Sequence, residues 1–230
     1  MTEEELIATY PRLWHMAHEG AWAAIRQDGL MSAKALIEAY AVLPVDREAL
    51  GSYRRPHSVP LVHHCRPGAV LRDQKPMSDK ALRKCLQDGL DPRGWYELLN
   101  SRTFFWLSRN RIWSLLGARA YRDVSQTVLT VGTRSLVAAH RERICLSPMN
   151  SGSTIYNPLP RGYGTFQRIE DFPFRERAKK RRPAANVIEL LVEESVPDIA
   201  DHVLAVHECR NHRIIRTIWQ SPNAAANDHP

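Results

Sequence analysis

Residues 185–210 read ANVIELLVEESVPDIADHVLAVHECR. A branched apolar run from Val187 to Val192, interrupted by Glu189, gives way to Val-Pro-Asp, a brief polar stretch and a second branched run. That pattern spells strand, short helix, strand, and leaves no room for a long crossover helix. Working outward, the same alternation marks strands at Leu13–Met16, at "RTFFWLS" (102–108), at "TVLTVGT" (127–133) and at "RICLSPM" (143–149). Helical spacing and capping signals fall at 19–26, after Ser32, after Ser78, at 92–99, at "NRIWSLLGARAYR" (110–122) and at "RSLVAAHRER" (134–143). Irregular segments, rather than regular crossover helices, separate the strands. The expected class is therefore α+β with a mixed sheet, not a doubly wound sheet.

At 230 residues the chain is long enough for one sizeable domain. The expected division is one domain over 1–219, with a helical, loop-rich insertion at about 44–100 where Pro and Gly are dense, and a flexible tail over 220–230. Lys and Arg outnumber Asp and Glu by 32 to 25, and the pI near 9.5 favours polyanionic partners. Cys65, Cys85, Cys145 and Cys209 are scattered with no C-x-x-C pair, so a reduced, cytoplasmic setting is the default. No apolar run approaches the roughly 18 residues that a membrane span requires. Neither G-x-G-x-x-G nor a P-loop occurs, which removes the two commonest nucleotide sites.

Two residues sit badly in their strands. His15 interrupts the apolar opening "RLWHMAH" (12–18), and Glu189 lies in a run where an ionised carboxylate needs a partner. Strand alternation puts Val187, Glu189 and Leu191 on one face and Ile188, Leu190 and Val192 on the other, so Glu189 can face a cleft while its neighbours hold the strand. The bland readings are a core histidine satisfied by backbone groups and an edge-strand glutamate facing water. Adjacent His63, His64 and Cys65 lack a fourth ligand and seldom share one metal, so no metal is expected.

The opening "LWHMAHEGAWAAIRQDGLMS" (13–32) and the closing "ANVIELLVEESVPDIADHVLAV" (185–206) resemble, in order, the ends of the ADP-ribosyltransferase superfamily, especially the DarT-type DNA ADP-ribosyltransferases. "RDQKPMS", "LNSRTFFWLS", "GARAYRD" and "SPMNSGSTIYNPLPRGYGTF" resemble an uncharacterised bacterial family sharing the whole architecture. The superfamily resemblance implies a split sheet binding NAD as substrate. His15 would meet a ribose hydroxyl, and Glu189 would stabilise the oxocarbenium-like state formed when the nicotinamide–ribose bond breaks. Phe105 or Trp106 would stack on nicotinamide with Ser108 holding its carboxamide, and Arg102 would either pair with the diphosphate or cap its strand. One of Arg54 and Arg55 would supply the functional arginine of the DarT-type enzymes. Asn150 and Ser151 are either a tight turn or a polar rim over a ribose.

The basic run "RERAKKRRP" (175–183), with Arg177, Lys179, Lys180, Arg181 and Arg182, precedes the Glu189 strand. It is either a solvated loop or a guide for a DNA or RNA acceptor. The expectation is an NAD-dependent ADP-ribosyltransferase acting as a toxin or defence effector, with an antitoxin or immunity protein as a further partner. Two alternatives stand beside it: RNA 2′-phosphotransferase chemistry using Arg54, Arg55 and Arg102, and an inactive nucleic-acid- or partner-binding member of the fold.

Overall fold

The computed structural model describes residues 1–156 and 158–230. A seven-stranded sheet forms its spine, in the order β6-β7-β4-β1-β5-β8-β9. The strands are β1 (Arg12–His18), β4 (Arg102–Trp106), β5 (Gln126–Gly132), β6 (Ile144–Ser147), β7 (Glu189–Glu193), β8 (Val203–Arg210) and β9 (Arg213–Gln220). Every neighbouring pair is antiparallel, which corrects the mixed sheet expected from sequence. The tightest link shows this directly: Asn211, at φ 55°, turns β8 into its antiparallel neighbour β9, while a 3-10 turn at Ile199–Asp201 carries the chain from β7 across to β8 on the other side of the sheet order.

The sheet is continuous in order but not in pairing. β1 runs in register with β5 from Arg12↔Gly132 to His18↔Gln126, and β4 with β7 from Arg102↔Glu193 to Trp106↔Glu189. Between β1 and β4 the register has a single pair, Trp14↔Trp106. Beyond it the strands diverge, opening a gap between the second half of β1 and the first half of β4.

Two cores flank this spine. Leu13, Phe105, Leu129, Val131, Leu190, Val192 and Val206 face one cluster, which α1 (Glu3–Thr9), α2 (Trp22–Asp28) and α8 (Thr133–His140) cover with Leu6, Ile25 and Leu136. Trp14, Met16 and Val128 face the other, closed by Ile112 and Leu116 of α7 (Arg109–Leu116). The expected alternation in β7 holds for Leu190 and Val192, but Val187 precedes the strand and joins their core.

The insertion is not purely helical. Besides α4 (Pro44–Ser52), α5 (Asp79–Cys85) and α6 (Pro92–Asn100) it contains a hairpin, β2 (Val59–His63) and β3 (Arg66–Leu71), packed on α3 (Ala33–Ala39) through Ile37, Tyr40, Leu61 and Leu71. Gly29 ends α2 at φ 85° and lies so close to Pro197 that a Cβ would sit 2.6 Å from its Cα. Mutual hydrogen bonds of 2.9 Å between Leu30 and Val196 then tie the start of the chain to the segment after β7. The segment over 220–230 makes specific contacts with the start of the chain and with Arg109. Asp228 is buried and paired with Arg12, while the His229 carbonyl accepts from Trp14 Nε1 at 3.3 Å and Arg109 Nε at 3.0 Å. No helix among the described residues is long and apolar enough to cross a membrane.

Candidate functional site

The gap between β1 and β4 continues into a cavity of about 590 Å³, walled on its far side by α2, α3 and β3. His15, Phe105, Trp106, Asn150, Ser151 and Glu189 all line it, although they come from widely separated parts of the sequence. Such a volume suits a small-molecule or cofactor ligand.

His15 occupies the divergence itself. Its Nδ1–H donates to the Phe104 carbonyl at 2.8 Å, and its ring lies 5.8 Å from that of Phe105. Burial, helped by the Arg72 charge, lowers its pKa to about 4 against the Phe104 hydrogen bond. The imidazole is therefore neutral at pH 7, with Nε2 left as an acceptor that has no partner among the described residues. The backbone satisfies one nitrogen and the cavity receives the other.

Glu189 reaches the cavity from two strands away. Cross-strand pairing places it on the face of Trp106, and of Trp14 beyond, which is the opposite face from His15. Its carboxylate accepts from the Ser151 backbone N–H at 3.1 and 3.3 Å. Burial raises its pKa to about 7, while Ser151 and the charges of Arg111 and Arg161 pull the other way. A glutamate poised between charge states beside a ligand-sized cavity is a functional-site signature.

The loop that carries Ser151 is built for that contact. Ser147, which pairs with Glu189 across β6–β7, turns the chain by accepting from Met149 N and donating to its carbonyl. Buried Arg161 then donates to the carbonyls of Ser151 at 3.1 Å and Ser153 at 2.9 Å. Asn150 remains exposed at the rim.

Several expected residues do other work. Arg55 is 5% exposed, and its guanidinium is shared among the Leu50 and Arg72 carbonyls and Asn100 Oδ1. Arg54 lies outside the cavity wall and donates to the Lys75 carbonyl at 3.1 Å. Ser108 also lies outside it, at the start of α7. Arg102 borders the cavity, but its guanidinium donates to the Leu98 carbonyl, pairs with Glu193 at 3.5 Å and covers the Phe166 ring. Phe105 is 1% exposed, so it backs His15 as a core residue, and the half-buried Trp106 is the better exposed ring.

In the basic run, Arg177 is fixed to Asn186 and to the Pro148 carbonyl, whereas Lys179, Lys180, Arg181 and Arg182 are exposed. Burial lowers the Arg111 pKa, with Glu189 raising it and Arg181 lowering it further.

Sequence reasoning missed Arg72, Tyr121 and Arg111. Arg72 and Tyr121 stand in "RDQKPMS" and "GARAYRD", so those quoted stretches held the signal without a role attached. It also missed a cluster outside the cavity wall, His140, Asp198 and His202, whose ligand-type atoms lie within 4.8 Å of one another. Arg143 donates to His140 Nδ1 at 2.8 Å, which leaves the proton on Nε2 facing Asp198 at 2.7 Å. A metal-bound histidine shows the reverse polarity, so this cluster reads as a hydrogen-bonded strut.

A family model described as "Family of unknown function (DUF7002)" matches residues 11–203, and the chain belongs to that family. No curated protein and no solved structure matches it.

Proposed function

We propose that this DUF7002 member is an NAD-dependent ADP-ribosyltransferase whose site is the cavity at the β1–β4 divergence. One observation carries the reading: a neutral His15 with an open acceptor and a buried, charge-poised Glu189 line the same cavity from opposite sides of the sheet break. His15 Nε2 would accept from a ribose hydroxyl. Glu189, when ionised, would hold the adjacent hydroxyl and stabilise positive charge at the anomeric carbon as nicotinamide departs. Ser151 N–H keeps the carboxylate aimed.

Trp106 offers the ring face for nicotinamide. The exposed Lys179, Lys180, Arg181 and Arg182 precede the Glu189 strand and suit a nucleic-acid acceptor. Phosphotransferase chemistry is less well supported, because Arg55 and Arg102 are committed to protein partners and Arg54 is outside the cavity. Incubation with nicotinamide-labelled NAD and separate DNA, RNA and protein acceptors tests the reading. Nicotinamide release that Glu189→Gln lowers on the order of a hundredfold is expected. Binding of nucleic acid without any NAD consumption would select the inactive member of the fold instead.

A further inference from the structure

Arg72 follows β3 and brings its guanidinium to the cavity wall beside His15. Its neighbours hold it as a rigid plane. One terminal nitrogen donates to Gln126 Oε1 at 2.8 Å, and the guanidinium lies 5.2 Å from the Tyr121 ring centroid. Tyr121 is fixed in turn by its hydroxyl, which donates to Asp73 Oδ1 at 2.9 Å, and Ser58 donates to the other oxygen of Asp73 at 3.0 Å. Arg55 grips the Arg72 carbonyl at 3.0 Å, so the backbone beneath the side chain is also pinned. Nothing in this scaffold is anionic toward Arg72 at ion-pair distance: Asp73 spends its oxygens on Tyr121, Ser58 and the Lys75 backbone.

Beyond Gln126 and the adjoining Tyr121 hydroxyl, no described residue gives the Arg72 N–H donors a hydrogen-bond acceptor, and the side chain lines the cavity. Besides Lys75, which is exposed, and Glu189, three charges on the wall are already matched. Arg55 and Arg102 are committed, and Asp28 pairs with Arg66 at 3.0 Å. An arginine held in a plane, stacked on one face and short of acceptors, is organised for a bidentate oxyanion.

We infer that Arg72 is the anion-holding residue of the cavity and takes the diphosphate of an ADP-ribosyl compound. The choice of a diphosphate rests on the NAD reading above, while the oxyanion site itself rests on Arg72 alone. Arg72 is then a binding residue, distinct from the positioning residues Arg55 and Tyr121.

Calorimetric titration of the full chain with ADP-ribose, inorganic pyrophosphate and nicotinamide riboside tests this. Arg72→Gln should weaken ADP-ribose and pyrophosphate binding by roughly ten- to a hundredfold, as for a lost charge-assisted pair, and leave nicotinamide riboside within about twofold. Should that variant lose its fold, the Arg72 Nε–H resonance of the unaltered protein supplies the readout and should shift on adding pyrophosphate. Unchanged affinities in a folded Arg72→Gln, or an unmoved Arg72 resonance at saturating ADP-ribose, would overturn the inference. Arg72-dependent pyrophosphate binding with no NAD turnover would sink the transferase reading and leave the oxyanion site standing. NAD turnover indifferent to Arg72 would do the opposite.

Discussion

Trp14 and Trp106 make the one cross-strand pair that joins β1 to β4, and Glu189 stands directly across from Trp106 on the next strand. Glu189 therefore sits at the closed end of the divergence and His15 at its opening. The register fixes their relation without any direct contact between them.

The charge state of Glu189 ties activity to stability. Its pKa is raised from 4.5 to about 7 mainly by burial, so the folded state resists ionisation that the unfolded chain undergoes freely. Below about pH 4.5 both states are protonated and the native state bears no penalty. As pH rises through 7 the penalty grows and then levels off, at roughly 3 kcal/mol. Glu189→Gln should thus be more stable than the parent at pH 8.5 and nearly equal to it at pH 4.5. Denaturant titration at the two values reads this, and an equal difference at both would refute the raised pKa.

His15 has the opposite sign. Its pKa is depressed from 6.5 to about 4, so its contribution is complete above 6.5 and is lost as pH falls toward 4. At pH 5.5 the ring should remain neutral with the proton on Nδ1. Nitrogen chemical shifts of the imidazole measure this, and a protonated ring at pH 5.5 would remove the acceptor assigned to ribose.

Arg54 and Arg55 should separate cleanly. Arg55→Ala removes one buried and two part-buried hydrogen bonds and should cost about 2–4 kcal/mol in unfolding free energy. Arg54→Ala removes one bond at a partly exposed site and should cost under about 1 kcal/mol. Comparable losses in the two variants would show that the Arg55 network is not what holds the insertion.

For the basic run, replacing Lys179, Lys180, Arg181 and Arg182 with serine should weaken oligonucleotide binding. It should also flatten the log–log salt dependence by roughly one unit for each lost phosphate contact. Arg177 is left unaltered because it braces Asn186. Titration of single-stranded and duplex DNA gives the slopes, and an unchanged slope would point to a protein acceptor.

Much of this was legible in local pattern. The run containing Glu189 and the opening with His15 announced strands, and each broke its own apolar rule at the residue that faces the cavity. What stayed hidden was partnership. Nothing in "YRRPHS" says that Arg55 is spent on carbonyls, because those acceptors come from Leu50, Arg72 and Asn100. Arg72 was passed over for the converse reason: its freedom appears only once Gln126 and Tyr121 are seen to frame it. The tail read as frayed because its polar composition gives no hint that Arg12, Trp14 and Arg109 receive it. Hairpin β2–β3 was obscured by Pro60, Pro67 and Gly68, which read as loop punctuation.

The long pairing of β1 with β5 also governs how the chain assembles. Arg12 meets Gly132 and His18 meets Gln126, so the first strand has almost no partner until more than half of the polypeptide exists. On a ribosome, β1 must wait with its apolar residues unpaired while α2, α3 and the hairpin collapse around it. Loop closure over so long a separation slows the search, placing refolding in the millisecond-to-second regime of non-local β topologies. The cavity, which exists only where β1 and β4 part, would then be among the last features to form.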